Sequence, residues 1–476
     1  MPKITFMGAG STVFAKNVLG DSMMTPALEE STIALYDIDA TRLSESEMML
    51  NAINRNNGNK AKIESYLGVE NRKAALRGAK YVVNAIQVGG YDPCTIIDFE
   101  IPKKYGLRQT IADTLGIGGI FRALRTIPVM LDFARDMEEV CPNAWLLNYT
   151  NPMAMLTGAM LTMTNVKTVG LCHSVQVCCS TLLHELGMEY DGSVEWKIAG
   201  INHQAWLLEC KKNGVDLYPE IKRRALLKNQ GKLPQPPFEE FIAGIMKAHP
   251  DLPEEYIQYI RAGYDLYEKE GKHGDMVRLE LMNRFGYYIT ESSEHNAEYT
   301  PYFIKSKYPE LIDRWNIPLD EYPRRCVLQI EQWEKQRKSL TENPLLTHKR
   351  SGEYASYIME AMETGIPTKI GGNVMNTGLI TNLPRNACVE VPCMVDMSGV
   401  NPCYVGDLPE QCAALNRTNI NVHLLTIEAA RTLKKEYIYQ AALLDPHTAS
   451  ELSIDDIVAM CDELIEAHKG WIPEYR

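Results

Sequence analysis

Short apolar runs alternate with amphipathic stretches along the first half of the chain. The runs have the length of buried strands, and the stretches between them have the periodicity of helices. The predicted strands cover residues 3–7, 32–36, 80–86, 144–148 and 167–171, and the clearest helices cover residues 41–55 and 121–138. This alternation predicts an α/β fold with a Rossmann-like, doubly wound parallel sheet.

The second half has a different pattern and predicts a mixed α+β domain. We place the boundary so that residues 1–200 form the nucleotide-binding domain and residues 201–476 form the catalytic, substrate and oligomerisation domain. The pattern of residues 201–476 is mostly helical. It returns to β character over residues 369–405 and ends in helices from about residue 421. A proline-rich stretch followed by an acidic one, near residues 228–275, predicts a mobile insertion.

A glycine-containing turn follows the first predicted strand. Gly8, Gly10 and Ser11 lie where backbone amides approach a pyrophosphate at a helix N-terminus. Asp37 ends the second apolar run, where its carboxylate accepts hydrogen bonds from ribose hydroxyls and thereby favours NAD over its 2′-phosphorylated form. Val13 stands in place of the third glycine of this fingerprint, so the motif alone leaves open a plain turn in another α/β fold.

Composition limits the partners that we expect. The chain has 476 residues, of which 45% are hydrophobic, and a formal net charge of −12 without a basic stripe, so we expect no nucleic-acid partner. Neither a signal-peptide pattern nor an apolar run of about 18 residues occurs, so we expect a cytoplasmic protein without a membrane partner. The 12 cysteines lack short regular spacings, which is typical of reduced thiols.

Unusual sequences follow three of the predicted strands. They are QVGGY at residues 87–91, NYTNP at residues 148–152 and LCHSV at residues 171–175. In doubly wound sheets, ligands bind beyond the carboxyl ends of the strands, so these three segments are expected to meet at one crevice. Gly89 in the first segment is expected to line the part of that crevice that holds the cofactor.

A cysteine and a histidine after apolar segments are candidates for metal binding. Cys172 follows the fifth predicted strand, and His203 follows a later apolar segment within GINH. Thiolate and imidazole suit a first-row divalent metal. The spacing alone leaves open ordinary packing roles, or a Cys172 nucleophile with His203 as its base.

Several motifs occur in an order that resembles glycoside hydrolase family 4. They are GAGS, GGY, NP, CHSV, GINH and the C-terminal pattern NLP, VEVP. The resemblance runs nearly end to end, and it is closest to the α-galactosidase members, with which the chain shares IADTLG, ALRTIP, VGLCHSV and ESSEH. The CHSV tetrapeptide resembles the version found in members that cleave melibiose, and it differs from the Cys-Asp and Cys-Asn versions of the 6-phosphoglycosidases.

The resemblance implies redox chemistry in place of two catalytic carboxylates. Bound NAD⁺ takes hydride from carbon 3 of the sugar, and a divalent metal, expected to be Mn²⁺, assists deprotonation at carbon 2. The aglycone is then eliminated, water adds, and the cofactor returns the hydride. The resemblance also implies an architecture like that of lactate and malate dehydrogenases, and a homo-oligomer that is a dimer or a tetramer.

The resemblance assigns roles to individual residues. Cys172 and His203 match the metal ligands, and Asn151 matches an asparagine that contacts the substrate beside the metal. His173 stands where the phosphoglycosidases carry a proton-donating aspartate, so it is either the general acid or a contact to a sugar hydroxyl. The matches to the cofactor site are Gly8, Gly10, Ser11 and Asp37.

The base that removes the carbon 2 proton is a tyrosine in characterised relatives. The candidates around GYYITESSEH are Tyr287, Tyr288 and Tyr299, and a metal-held hydroxide is their rival. Within ESSEH, Glu291, Glu294 and His295 are crowded polar residues that suit either contacts to sugar hydroxyls or a helix N-terminus, and we expect Glu294 and His295 to contact substrate. Arg122 and Arg125 either reach substrate or a neighbouring subunit or lie on a solvated helix face, and we favour the solvated face.

The predicted function is therefore an α-galactosidase that uses NAD and Mn²⁺. One alternative is a family 4 glycosidase for α-glucosides, α-glucuronides or galacturonides, because contacts to the carbon 4 hydroxyl or the carbon 6 group select the sugar. A second alternative is an NAD-dependent 2-hydroxy acid dehydrogenase, which has no need of the Cys172 thiolate. A non-catalytic NAD sensor is the third, and it is disfavoured by the crowding of polar groups at three strand ends.

Overall fold

A mixed sheet lies at the centre of the protein. The computed structural model describes residues 1–248 and 254–476. The first six strands, β1 to β6, are Lys3–Met7, Thr32–Asp37, Lys62–Leu67, Tyr81–Asn84, Trp145–Asn148 and Lys167–Gly170. The following strands, β7 to β13, are Val194–Ile201, Gln204–Lys212, Val215–Asp216, Tyr288–Ile289, Thr368–Met375, Cys388–Asp396 and Gly399–Pro402.

Helices cover both faces of the sheet. Helices α1 to α7 are Val13–Met23, Ala40–Asn56, Arg72–Leu76, Ile96–Lys104, Gly116–Val140, Met153–Met163 and His173–Glu185. Helices α8 to α14 are Tyr218–Asn229, Phe238–Ala248, Glu254–Glu270, Met276–Phe285, Ser293–Glu298, Glu310–Arg314 and Glu321–Thr341. Helices α15 to α19 are Tyr354–Thr364, Glu410–Thr432, Lys435–Leu444, Pro446–Glu451 and Ile454–Ala467. In the part of the chain that the structure describes, none of them is both long and apolar enough to cross a membrane.

The first six strands form a parallel sheet in the order β3-β2-β1-β4-β5-β6. Strands β1, β2 and β4 are buried over almost their whole length, as expected for strands covered by helices on both faces. The strand order reverses between β1 and β4, which is where dinucleotides bind in such sheets. The predicted Rossmann-like fold class is confirmed.

The sheet continues with antiparallel strands in the order β6-β11-β12-β7-β8-β10. Strands β11 and β12 form an eight-pair ladder with each other, and β7 and β8 form a long hairpin. The mixed α+β character predicted for the second half is confirmed. Because one sheet contains strands from both sides of residue 200, the division into domains at that residue stays a prediction.

Some elements differ from the sequence prediction. Strand β3 was not predicted because it lies at the edge of the sheet, where its side chains are partly exposed and its apolar pattern is weak. The β7–β8 hairpin replaces a segment predicted as helical, and α16 begins at Glu410 instead of about residue 421. Helices α8 to α10 occupy much of the segment 228–275; residues 249–253 lie outside the described residues, and the mobility of the segment stays a prediction.

A buried ionic cluster joins the C-terminus to the loop after β4. Arg125 on α5 donates to both carboxylate oxygens of Asp98 on α4, at 3.2 and 2.7 Å, and to the carbonyl oxygen of Val88, at 3.1 Å. His468, just after α19, places Nε2 3.2 Å from the Asp98 carboxylate, and its Nδ1 donates to the carbonyl oxygen of Leu464. The prediction of a solvated Arg125 is wrong, because its side chain pairs with a carboxylate inside the protein.

The charge on His468 should make the stability of the protein depend on pH. Burial opposes this charge, but hydrogen bonding to Asp98 and Cys94 raises the pKa of His468 from 6.5 to about 9. The resulting stabilisation is fully present below pH 6.5 and is lost as the pH rises through about 9, and it amounts to roughly 3 kcal/mol.

We therefore expect the difference in unfolding free energy between the wild type and His468→Gln to be largest below pH 6.5 and to shrink towards pH 9.5. Urea titrations at several pH values measure it, with the exposed His184→Gln as the control variant. A difference that is the same at all pH values would contradict a charged His468.

Candidate functional site

The predicted cofactor residues meet at the carboxyl ends of β1 and β2. Gly8 has φ of 86°, and a Cβ there would lie 2.7 Å from the carbonyl oxygen of Ala85, so only glycine suits this turn. The backbone N–H of Gly10 donates to the Asp37 carboxylate at 2.6 Å. The hydroxyl of Ser11 is buried without a hydrogen-bond partner. The turn therefore has close-packed glycines, a free hydroxyl and a carboxylate, as a dinucleotide site requires.

Gly89 lies in the loop after β4, as predicted. Its φ is 79°, and a Cβ at this position would overlap the sulfur of Cys94. Arg125 donates a hydrogen bond to the carbonyl oxygen of Val88 in the same loop. Glycine is therefore required here for close packing of the loop against α4 and α5.

Three side chains with metal-binding atoms converge beyond the strand ends. Cys172 lies between β6 and α7, His203 lies in the turn between β7 and β8, and Glu291 follows β10. One sulfur, one ring nitrogen and one carboxylate oxygen of these residues lie within 4.8 Å of one another. His203 and Glu291 both have φ of 64°, a backbone conformation that is uncommon outside glycine and is found where function fixes the geometry.

The protonation of this cluster follows from its burial. Burial, assisted by the charges of Glu390 and Glu291, raises the pKa of the Cys172 thiol. Burial lowers the pKa of His203, which keeps its imidazole neutral and able to bind a cation. Burial also opposes the charge of Glu291, but His203 and His295 outweigh it and lower the pKa of that carboxyl. A divalent cation would compensate the carboxylate and promote loss of the thiol proton.

Tyr299 contacts the cluster, whereas the other two predicted tyrosines lie elsewhere. Its hydroxyl is 3.0 Å from Nδ1 of His203, and the residue is almost completely buried. The hydroxyl of Tyr288 instead donates to Asp275 at 2.7 Å, and Tyr287 packs against Tyr218 with ring centroids 5.7 Å apart. Tyr299 is therefore the one of the three that contacts His203, and the identity of the base stays a prediction.

A second group of charged residues borders the cluster. His295 places Nε2 3.6 Å from Asp113 and its ring 5.1 Å from that of His203. Burial opposes the charge on His295, but Glu291 and Asp113 raise its pKa to about 9. Arg122 lies 3.7 Å from Asp113 and is buried, so the prediction that it lies on a solvated face is wrong.

Sequence reasoning missed Glu291 as a member of the metal-binding cluster, Asp113 beside it and the buried position of Arg122. The available signal was the IADTLG stretch, which contains Asp113. The carboxylate of Glu298 on α12 accepts hydrogen bonds from the backbone N–H groups of residues 110–112 and holds this stretch in place. Glu294 accepts a hydrogen bond from Arg325 at 2.6 Å, and its contact with substrate stays a prediction.

His173 and Asn151 follow the carboxyl ends of β6 and β5 in the parallel half of the sheet. His173 begins α7, its side chain is half exposed, and its Nε2 lies 2.7 Å from the carboxylate of Glu353. This hydrogen bond raises the pKa of His173. Its ring lies near those of Phe14 and Tyr149, at centroid distances of 6.4 and 5.9 Å. Asn151 has a buried side-chain oxygen without a partner, which leaves it free to bind a hydroxyl.

Comparisons with known proteins agree with this geometry. The model "Family 4 glycosyl hydrolase" matches residues 3–188, and the model "Family 4 glycosyl hydrolase C-terminal domain" matches residues 198–448. An alpha-galactosidase of Bacillus subtilis (strain 168) is 61% identical over 476 residues, covering 100% of both chains. An alpha-galactosidase of Rhizobium meliloti (strain 1021) is 34% identical over 99% of this chain and 89% of its own length.

A solved structure has the same fold over the full length of the chain. The 6-phospho-alpha-glucosidase from gut microorganisms in complex with NAD and Mn²⁺ aligns with a TM-score of 0.77 and 19% identity, covering 100% of both chains. Together with the two family models, which match most of the chain, this fold confirms the resemblance found in the sequence. The protein belongs to glycosyl hydrolase family 4.

Proposed function

We propose that the protein is an α-galactosidase that hydrolyses terminal α-galactosides with NAD and Mn²⁺. The observation that carries the proposal is the 61% identity to an alpha-galactosidase over the whole of both chains. The cluster of Cys172, His203 and Glu291 supports the metal, and the glycine turn with Asp37 supports the cofactor. A similar structure in complex with NAD and Mn²⁺ has the same fold.

The residues at the proposed cofactor site fit NAD. Gly8 and Gly10 let the backbone approach a pyrophosphate, and the unpartnered hydroxyl of Ser11 is available to a phosphate oxygen. The Asp37 carboxylate is placed for ribose hydroxyls and opposes a 2′-phosphate. When bound, NAD⁺ supplies a hydride acceptor for the carbon 3 position of the sugar.

The residues of the cluster also fit a divalent metal. We propose that Cys172 and His203 are ligands, as the resemblance implies, and that Glu291 is a third. The carboxylate suits manganese, whereas imidazole and thiolate suit other first-row metals, so the donor set fits a first-row divalent cation. The choice of Mn²⁺ is supported by the similar structure that binds it. When bound, the metal supplies Lewis-acid polarisation of sugar hydroxyl oxygens.

The chain's own polar groups have complementary roles in this proposal. His173 is half exposed and hydrogen-bonded to Glu353, which suits it to donate a proton to the leaving group or to hold a sugar hydroxyl. Asn151 and His295 would contact sugar hydroxyls. Tyr299 acts as a positioning residue for His203, because its hydroxyl is engaged by that ring and burial raises its pKa well above 10.

We further propose that the protein acts in the cytoplasm as a homo-oligomer. All 12 cysteines are free thiols, and 11 of them are buried, which agrees with a reducing compartment. Ile366, Met397 and Tyr404 are each at least 70% exposed, and we propose that they contribute to a subunit contact.

Activity should require every component of the proposed chemistry. We expect protein stripped of metal and nucleotide to cleave p-nitrophenyl α-galactoside only when NAD⁺, Mn²⁺ and a thiol reductant are all added, as measured by release of nitrophenol. Cleavage of the α-glucoside or the α-galacturonide in place of the galactoside would support the proposed mechanism but contradict the proposed specificity for galactose. Net NADH production from a 2-hydroxy acid would contradict the glycosidase.

Cys172→Ala should abolish metal-dependent turnover. Loss of an outer-shell partner of a metal site costs about 10- to 100-fold in affinity, so loss of a ligand should cost more than about 100-fold. Mn²⁺ binding is measured by electron paramagnetic resonance, and the control is Cys178→Ala, a buried thiol on α7 outside the cluster. Equal Mn²⁺ affinity in both variants would remove Cys172 from the proposed site.

Tyr299→Phe should weaken Mn²⁺ binding by about 10- to 100-fold, because His203 loses the hydrogen bond that orients its ring. The matched control is Tyr288→Phe, which removes a hydroxyl bound to Asp275 and should leave Mn²⁺ affinity unchanged. Native Mn²⁺ affinity in Tyr299→Phe, together with lost turnover, would instead make Tyr299 the base.

A further inference from the structure

Four residues form one row across the sheet where its parallel and antiparallel parts meet. Gly170 on β6 is paired with Asn373 on β11, Asn373 with Glu390 on β12, and Glu390 with Gly200 on β7. Within the described residues, the outer two pairs are the single register pairs that join β6 to β11 and β12 to β7. The row therefore sets the spacing between β6 and β7.

That spacing determines the distance between two of the proposed metal ligands. Cys172 lies two residues after Gly170, and His203 lies three residues after Gly200. The two ligands therefore follow the strands at the two ends of the row: Cys172 follows β6, and His203 follows β7. Any change in the row that separates β6 from β7 should also separate the sulfur of Cys172 from the ring of His203.

The side chains in the middle of the row form a buried hydrogen-bonded group. The side-chain N–H of Asn373 donates to Glu390 Oε1 at 2.8 Å and to the carbonyl oxygen of Gly170 at 3.3 Å. Asn202, the neighbour of His203, donates its side-chain N–H to the same Glu390 oxygen at 3.4 Å. Through these bonds, one oxygen atom of Glu390 links the end of β6 to the turn that carries His203.

The glycines at the ends of the row leave no room for larger residues. A Cβ at Gly170 would lie 2.6 Å from the hydroxyl oxygen of Thr157 and 2.8 Å from Cβ of Asn373. A Cβ at Gly200 would lie 2.7 Å from Cα of Ala205. Both are closer than real Cβ contacts, so the row is closely packed against its neighbours at each end.

Burial of the Glu390 carboxyl lowers the free energy of unfolding, so stability does not explain its presence. The residue is 1% exposed, its second oxygen Oε2 is buried without a hydrogen-bond partner, and burial raises its pKa to about 7. Burial of a polar or charged group whose atoms are not all hydrogen-bonded costs free energy. A role at the neighbouring site accounts for the presence of this carboxyl better than stability does.

We propose that Glu390 is a positioning residue for the metal site, which holds the amides of Asn202 and Asn373 together and thereby fixes the separation of Cys172 and His203. The inference rests on the proposed metal role of those two ligands. Its physical basis is the acceptor oxygen Oε1 and not the charge of the carboxyl, because both amides donate to that one atom.

Two substitutions at Glu390 distinguish the effect of its hydrogen-bond acceptor from the effect of its negative charge. Glu390→Leu removes the acceptor and should weaken Mn²⁺ binding by about tenfold, the lower end of the range for direct partners of metal ligands, because Glu390 acts on His203 through Asn202. Glu390→Gln keeps an acceptor oxygen and should bind Mn²⁺ within about threefold of the wild type. NAD⁺ affinity should be unchanged in both. The control is Asp445→Leu, which removes a buried carboxyl from the start of α18.

Metal-free protein is titrated with Mn²⁺ and followed by electron paramagnetic resonance, and NAD⁺ binding is followed by calorimetry. The thiolate charge-transfer absorption of the Co²⁺-loaded protein reports the bond to Cys172 and should weaken in Glu390→Leu. If that variant fails to fold, Asn373→Ala removes one of the two amide donors and should weaken Mn²⁺ binding in the same way.

Native Mn²⁺ affinity in Glu390→Leu, or in Asn373→Ala where the former does not fold, would overturn the inference. So would Glu390→Gln that binds as weakly as Glu390→Leu, because the charge would then be responsible. Failure of the proposed metal site gives a different result: wild type and Cys172→Ala would bind Mn²⁺ equally, whatever stands at position 390.

Discussion

The insertion of β11 and β12 between β6 and β7 is the constraint on which the site depends. A parallel nucleotide-binding sheet could end at β6, but here it continues through an antiparallel ladder that leads to the β7–β8 hairpin. Cys172 and His203 lie after strands that are not neighbours in the sheet, and their convergence is produced by this ladder. The two parts of the chain therefore form one site because they share one sheet.

The charges around the cluster are divided between two histidines. His295, held between Glu291 and Asp113, has its pKa raised to about 9 and carries the positive charge, although burial opposes it. His203 is kept neutral mainly by burial. A neutral imidazole binds a cation, whereas a protonated one repels it. His295 thus compensates neighbouring carboxylates and leaves His203 available as a ligand.

The features that the sequence predicted are local, and those that it did not are set by distant contacts. The parallel strands and the glycine turn follow from apolar runs and neighbouring residues, and the family motifs led to Cys172 and His203. The choice among the three tyrosines was beyond sequence reasoning, because the hydroxyl of Tyr288 is engaged by Asp275 and that of Tyr299 by His203. Arg122 and Arg125 were misjudged because their partners, Asp113 and Asp98, come from other parts of the fold.

Helix α1 connects the glycine turn after β1 to His173. It begins directly after the glycine turn, and its buried Asp21 accepts hydrogen bonds from His348 Nε2 and from the backbone N–H and hydroxyl of Ser351, each at 2.7 Å. Glu353, two residues later, holds His173. The helix that presents its N-terminus to the cofactor thus also anchors the partner of His173. Because Glu353 holds His173, the same helix fixes the proposed cofactor turn and the proposed proton donor relative to each other.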